Sequence, residues 1–269
     1  MRIDRALLVF HKDWLEVRRN WQVVLPVTIV PLLFSVFIPA VFFFAASTGG
    51  SSSGFGQLIG ALPPEVQAVL AGMTASQVMV YVMVVYFFAP FFLIIPLMAS
   101  SVIASDSFAG EKERKTIEGL LATPLSDSEL MLGKILVSFV PSMGVTLLAF
   151  TAYSIVTDVL GYGLFRRLIM PNLNWLVLIL GVAPLVALAA IGLTVMISAR
   201  VKGFREAQQI SVVLILPILG LLFAQVSGLL VLGPVVMLEL MAVFAVVDLV
   251  LFRLGLSLFG REEILSQGG

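Results

Sequence analysis

The sequence predicts an all-α integral membrane protein with six transmembrane helices. Of its 269 residues, 60% are hydrophobic and only 12% are charged, and the mean hydropathy is +1.10. In soluble domains roughly a quarter of the residues are charged. Because each span needs about 20 apolar residues, the chain has room for six or seven helices and for no sizeable soluble domain.

The first 21 residues predict an amphipathic helix in the membrane interface. Charged side chains fill the faces between its apolar residues and recur as far as Arg19, a pattern that also argues against a cleavable signal peptide. A helix packed on a soluble partner is the alternative. The apolar residues recur at spacings of three and four, and they are Ile3, Leu7, Phe10, Trp14, Val17 and Trp21.

Six apolar runs predict the spans, which we place at residues 22–46, 77–105, 135–157, 174–199, 207–227 and 235–252. The first contains Pro26, Pro31 and Pro39, which bilayer helices tolerate when neighbouring groups satisfy the freed backbone. Six spans place the amino terminus, residues 106–134, residues 200–206 and the carboxyl tail on one side. That side carries 14 of the 16 Lys and Arg residues, all except Arg166 and Arg167, so we expect it to be cytoplasmic, with both termini inside.

Residues 106–134 form a polar insert between the second and third predicted spans. Five charged residues follow one another from Glu111 to Lys115, which is costly in hydrocarbon. We expect one helix from Glu111 to Ala122, with Ile117, Leu120 and Leu121 on one face. Ser126 and Glu129 then form a capping box that begins the next helix. The insert is either a docking surface for a soluble partner or an ordinary solvated loop.

The insert resembles a motif of one membrane-protein family. That motif reads E-K-E-x-x-T-x-E-x-L-L-x-x-P, followed by a G-K pair. With these residues the insert resembles the segment between the second and third spans of ABC-2 type exporter membrane subunits. The matching residues are Glu111, Lys112, Glu113, Thr116, Glu118, Leu120, Leu121, Pro124, Gly133 and Lys134.

The resemblance implies one permease domain over residues 1–269, with a cytoplasmic coupling helix in the insert. It further implies cytoplasmic ABC ATPase subunits as partners, a second permease that we expect to be an identical copy, and the plasma (inner) membrane of a prokaryote. The residues expected to dock the ATPase are Glu111, Lys112, Glu113, Arg114, Lys115, Thr116, Ile117, Glu118, Leu120, Leu121, Arg200, Lys202 and Arg205. We expect reversal of the charges at Glu111 and Glu113 to uncouple ATP hydrolysis from export.

The sequence offers no catalytic, cofactor or metal site. Lys134 is followed by Ile135 rather than by Ser or Thr, and it lacks the preceding glycine of a phosphate-binding loop. ATP and Mg²⁺ are therefore expected in the partner ATPase. His11 is the only histidine, there is no cysteine, and the net charge of zero gives no reason to expect nucleic acid.

Two acids lie in the last predicted span, where an ionised carboxylate is expensive. Glu239 is near the outer end and could reach interfacial water, whereas Asp248 is deeper. Asp248 is a candidate for an interhelical partner, for part of a gate or substrate route, or for a misplaced span end. We expect Asp248→Asn to alter transport while leaving the protein folded.

The family resemblance implies export of a drug-like molecule, lipid, peptide, polymer or ion by alternating access. An amphiphilic or apolar substrate fits spans with so few charges. Two other classes remain open: a channel or secondary carrier that needs no ATPase, and an intramembrane enzyme. A subunit for cofactor or protein maturation is a further possibility within the family.

Overall fold

A computed structural model describes residues 2–47, 64–116, 125–201, 203–227 and 230–258, and this part of the chain contains helices and no strand. Within these ranges, six helices are long and apolar enough to cross a membrane, which confirms the predicted fold class. The N-terminal helix is Ile3–Val17, and a short helix, Pro64–Leu70, lies between the first two spans. The spans are Trp21–Ser47, Ala75–Glu113, Asp127–Phe165, Leu173–Arg200, Phe204–Val226 and Pro234–Leu258.

The second span lies at the centre of the fold. Within its most apolar stretch 67% of the residues are buried, and it packs against the third and fourth spans. The first and sixth spans are peripheral, with only 11% of the corresponding residues buried. Their apolar surfaces therefore face outward, as expected of helices whose solvent is lipid.

An aromatic core joins the second span to three others at one end. Trp175 stacks on Tyr153 at 5.0 Å between ring centroids, and Phe92 meets Trp175 edge-on at 4.7 Å. The second span widens into a π-helical turn at Val82–Phe87. Such a turn leaves carbonyl groups without their usual helical partners.

Three side chains bind consecutive carbonyls of this turn. Tyr153 of the third span donates to Val84 O (2.8 Å), and Trp175 Nε1 of the fourth donates to Val85 O (2.9 Å). Gln225 Nε2 of the fifth span donates to Tyr86 O at 2.6 Å. These three donors therefore bind backbone carbonyls where no water is available, whereas Gln225 Oε1 is buried without a partner among the described residues.

The third span is longer than the predicted run of residues 135–157. It begins at Asp127, after the predicted capping box, in which Ser126 Oγ accepts from Glu129 N and the Glu129 carboxylate accepts from Ser126 N. The helix continues past residue 157 to Phe165, and Asp158 lies inside it. Asp158 Oδ1 instead accepts from the backbone N–H groups of Ile169 (2.8 Å) and Met170 (3.0 Å) and holds the following loop.

The N-terminal helix packs along the start of the third span through small side chains. A Cβ at Gly133 would stand 2.6 Å from Val9 Cβ and 2.7 Å from Ala6 O, so only glycine allows this approach. Ala6 and Val9 are buried, whereas Ile3 and Leu7 of the predicted apolar face are 63% and 48% exposed. The predicted apolar face is therefore divided. Its first turns point away from the protein, whereas Val17 is buried and Phe10 and Trp14 pack with it against the bundle.

Candidate functional site

The charged end of the bundle brings together most of the predicted site. It is formed by the N-terminal helix, the last turns of the second and fourth spans, and the first turns of the third and fifth. The second span does not stop at residue 105, because its helix continues through a π-helical turn, Asp106–Gly110, to Glu113. The first residues of the polar insert are therefore part of a span rather than of a loop.

A buried ionic cluster lies at this end and consists of Lys12, Asp13, Ser107, Glu111 and Lys134. Lys134 and Glu111 are each 1% exposed. Lys134 Nζ lies 2.5 Å from Glu111 Oε2 and 3.3 Å from Asp13 Oδ2, and it also donates to Ser107 O at 2.6 Å. A buried lysine with two carboxylates and a carbonyl is the pairing that makes burial of such a charge tolerable.

Lys12 completes the ionic cluster from the N-terminal helix. Its Nζ lies 2.7 Å from Glu111 Oε1, 3.1 Å from Asp13 Oδ1 and 3.2 Å from Glu16 Oε1. Burial lowers the pKa of Lys12, but the hydrogen bond to Glu111 and the charges of Asp13 and Glu111 outweigh it, so that this pKa is raised. The two lysines therefore balance the two buried carboxylates.

Three carboxylates at this point, those of Asp13, Glu16 and Glu111, each offer an oxygen within 4.8 Å of the others. Such a group can hold a cation. Here Lys12 contacts all three carboxylates and Lys134 contacts the two buried ones. The two buried carboxylates are thus paired with two lysines of the chain itself, and we assign no metal to these residues.

Two expectations for the insert were wrong. Glu111 is not on a solvated surface, because it is enclosed by Lys12, Lys134 and the N-terminal helix. The helix does not run from Glu111 to Ala122 either. It ends at Glu113, and Lys115 adopts a left-handed conformation with φ of 58°, which a continuing helix does not allow.

Glu113 joins the insert to the turn between the fourth and fifth spans. Its Oε2 accepts from the backbone N–H of Phe204 at 2.9 Å, at the first residue of the fifth span, where a carboxylate stabilises a helix. A Cβ at Gly203 would stand 2.6 Å from the same oxygen. Nearby, Lys112 Nζ donates to Ala199 O at 3.3 Å. The two segments predicted to dock a partner are therefore in direct contact.

The other predicted docking residues are on the outside or lie beyond the described part of the chain. Arg114 pairs with Asp106 at 3.1 Å and is partly exposed. The exposed residues are Lys115, Thr116, Arg200 and Arg205. The residues outside the described ranges are Ile117, Glu118, Leu120, Leu121 and Lys202.

The two acids of the sixth span differ in environment. Glu239 is exposed on the outer surface of the bundle. Both carboxylate oxygens of Asp248 are buried and have no hydrogen-bond partner within the described residues. Its neighbours on the same face, Met241 and Leu251, pack against Gly181 and Gly192 of the fourth span. Asp248 thus lies at a contact between two spans rather than at a span end.

Comparison with protein families fits this architecture. Residues 81–237 match the model of the ABC-2 family transporter proteins, a match that covers more than half of the chain and includes the aromatic core and most of the charged end. The chain belongs to the ABC-2 transporter family. It is a multi-pass permease, the membrane subunit of a transporter, and such subunits are generally non-catalytic. No curated protein matches the chain significantly.

Sequence reasoning missed most of the ionic cluster. Lys134 was noted for the G-K pair of the family motif and for its false likeness to a phosphate-binding lysine, and Lys12 and Asp13 are among the charged residues of the predicted N-terminal helix. The available signal was the Gly133–Lys134 pair itself. In the structure Gly133 admits the N-terminal helix, and Lys134 then meets the acids that this helix and the second span supply.

Proposed function

We propose that this ABC-2 permease is the membrane subunit of an ATP-driven exporter and that its ATPase subunits dock at the charged end. Permeases of this family typically work with ATPase subunits. ATP and Mg²⁺ are bound by that partner. The charged end is cytoplasmic, as are both termini, in the plasma membrane of a prokaryote.

The contact between Glu113 and Phe204 carries this proposal. It joins the end of the second span to the start of the fifth, so the two predicted docking segments offer one surface. Exposed cations surround the contact at Lys115, Arg200 and Arg205. Because long-range attraction between complementary surfaces guides association, these cations favour a partner that presents carboxylates.

The ionic cluster connects the docking surface to the other spans of the bundle. Glu111 is two residues before Glu113 of the docking surface, and its ion pair with Lys134 links it to the third span. Lys112 holds the last turn of the fourth span. A displacement of the docking surface therefore moves the second, third, fourth and fifth spans together, as a rigid-body switch between two access states requires.

The transported molecule is amphiphilic or apolar, because the spans offer few charges to hold a charged solute. Drug-like molecules, lipids, peptides and ions are the classes to screen. The permease works with a second copy of the same chain. Screening candidate solutes for stimulation of ATP hydrolysis, with permease and ATPase in the same liposome, identifies the class.

The docking surface is tested with Glu113→Lys. Because Glu111 is buried, its reversal would damage folding, so Glu113 alone is changed. The cognate ATPase is first identified by mass spectrometry after co-purification with the wild-type chain. We expect Glu113→Lys to lower the ratio of ATPase to permease several-fold and to uncouple ATP hydrolysis from export.

Asp4→Lys is the matched control, because it makes the same charge change at an exposed site of the N-terminal helix. An unchanged ATPase ratio and unchanged coupling in Glu113→Lys would contradict the docking assignment. Downhill solute flux through liposomes that contain the purified permease alone would contradict the ATP-driven mechanism and favour a channel or carrier.

A further inference from the structure

An apolar groove of about 350 Å³ lies beneath the N-terminal helix, between the first and third spans. Small-molecule sites have volumes of about 300–1,000 Å³. Among the described residues that line it, only Trp14 and Thr28 carry a polar side-chain atom. The lining residues are Phe10, Trp14, Val17, Val23, Val24, Val27, Thr28, Leu32, Ile103, Val140, Pro141, Gly144, Val145 and Leu148.

The length of the groove matches one leaflet of a bilayer. Along the first span it extends from Val23 to Leu32, which is about 14 Å at 1.5 Å per residue. Half of a hydrocarbon core of roughly 30 Å is about 15 Å. Val140 and Leu148 on the third-span side are 49% and 55% exposed, so the groove is open to the surroundings of the bundle. This is the shape of a site for one acyl chain.

Two unpaired cations stand where the groove meets the N-terminal helix. Arg18 and Arg19 form the turn between Val17 and Val23, both of which line the groove. Both arginines are exposed, and neither has an acidic partner among the described residues. Cations at the end of an apolar groove, at the depth of the headgroups, are complementary to a lipid phosphate.

We propose that this groove binds one acyl chain of an anionic phospholipid and that Arg18 and Arg19 bind its headgroup. The site is next to the ionic cluster, since Ile103 is one turn before Ser107 and Val137, which packs with Ile103, is one turn after Lys134. A bound lipid therefore fills the contact among the N-terminal helix and the first and third spans. Zwitterionic lipids offer the same chain but no net charge to the arginines.

The intrinsic fluorescence of the chain gives a direct test, because Trp14 lines the groove. Of the other two tryptophans, Trp21 is 72% exposed and is replaced with Phe, while Trp175 is fully buried and stays out of reach of lipid. The Trp21→Phe protein is placed in nanodiscs with brominated-chain phosphatidylglycerol or phosphatidylcholine at equal, low mole fraction. We expect at least twofold greater quenching by phosphatidylglycerol.

Two sets of variants in the Trp21→Phe background separate the headgroup from the chain. Arg18→Gln with Arg19→Gln is expected to remove the difference between the two lipids. Gly144→Leu is expected to fill the groove and to reduce quenching by both. Gly163→Leu is its control on the same span, and a Cβ at either glycine meets no atom within 4 Å, so both proteins should fold.

Equal quenching by both lipids, unchanged in Gly144→Leu, would mean that Trp14 meets only bulk lipid and would overturn the proposal. An absence of quenching would also overturn it and would mean that protein, such as a second copy of the chain, closes the groove. A preference for phosphatidylglycerol that survives loss of both arginines would overturn the headgroup assignment.

Discussion

The aromatic core and the ionic cluster fasten the same helix by different chemistry. Both lie on the second span, and Val85 and Ser107 are 22 residues apart, or about 33 Å along a helix. They therefore stand about one bilayer core apart. At the aromatic core three neutral donors from three spans bind three carbonyls. At the ionic cluster two lysines hold two buried carboxylates.

The two regions differ in what the loss of a single side-chain interaction does to the remaining contacts. The neutral bonds of the aromatic core are separate, so loss of one leaves the others and the surrounding ring contacts in place. In the ionic cluster Lys134 contacts both Glu111 and Asp13, and loss of its charge leaves these two buried carboxylates with Lys12 as their one cation among the described residues. Under the proposed function, the charged end is the contact that a docked ATPase would move, and the aromatic core is the fixed one.

The largest expected effect comes from Lys134→Met, which removes the charge and keeps a side chain of similar length. Removal of one partner from a buried ion pair costs about 3–5 kcal/mol. We expect a loss of this size in the free energy of unfolding, measured by denaturant titration in detergent. Lys115→Met, at an exposed lysine, is the control and should change it by less than about 0.5 kcal/mol. An equal loss of stability in Lys134→Met and Lys115→Met would show that the ionic cluster does not stabilise the fold.

Smaller effects are expected at the aromatic core. Tyr153→Phe and Gln225→Leu each remove one hydrogen bond to the π-helical turn, and single interhelical hydrogen bonds in membranes contribute about 0.6 kcal/mol, with a maximum of about 1.7 kcal/mol. The same unfolding titration measures them. Tyr162→Phe, at a tyrosine that is 55% exposed, is the control. A loss above about 3 kcal/mol for either variant would show that the two regions do not differ as described.

The smallest effect on stability is expected for Asp248→Asn. Unlike Glu111, this carboxylate has no partner for either oxygen among the described residues, so there is no pair to break. Because a buried amide without a partner costs less than a buried carboxylate, we expect the free energy of unfolding not to fall, while transport by the reconstituted permease with its ATPase falls. Glu239→Gln, at the exposed acid of the same span, is the control. Wild-type transport by Asp248→Asn would remove Asp248 from the mechanism.

The features that the sequence predicted depend on neighbouring residues. Six spans follow from composition within windows of about 20 residues, and the structure has six such helices. The capping box of Ser126 and Glu129 involves residues three apart, and it is present. A local pattern was sufficient in both cases because every partner is within one turn or one span.

The burial of Glu111 could not be predicted in the same way. Its partners are 99 residues before it, at Lys12, and 23 residues after it, at Lys134. A run of five charges is expensive in lipid only while the charges are unpaired, and pairing is decided by the fold. The N-terminal helix gives the same lesson, since hydropathy cannot distinguish Ile3, which faces outward, from Val9, which faces protein.

Gly133 has one consequence for the membrane around the permease. Because a bare backbone at this residue lets the N-terminal helix lie directly on the third span, the two move as one body. With that helix in the interface, as its pattern predicts, any tilt of the third span sweeps it sideways through the headgroups. The viscous drag of the surrounding lipid is then a mechanical load on any such movement.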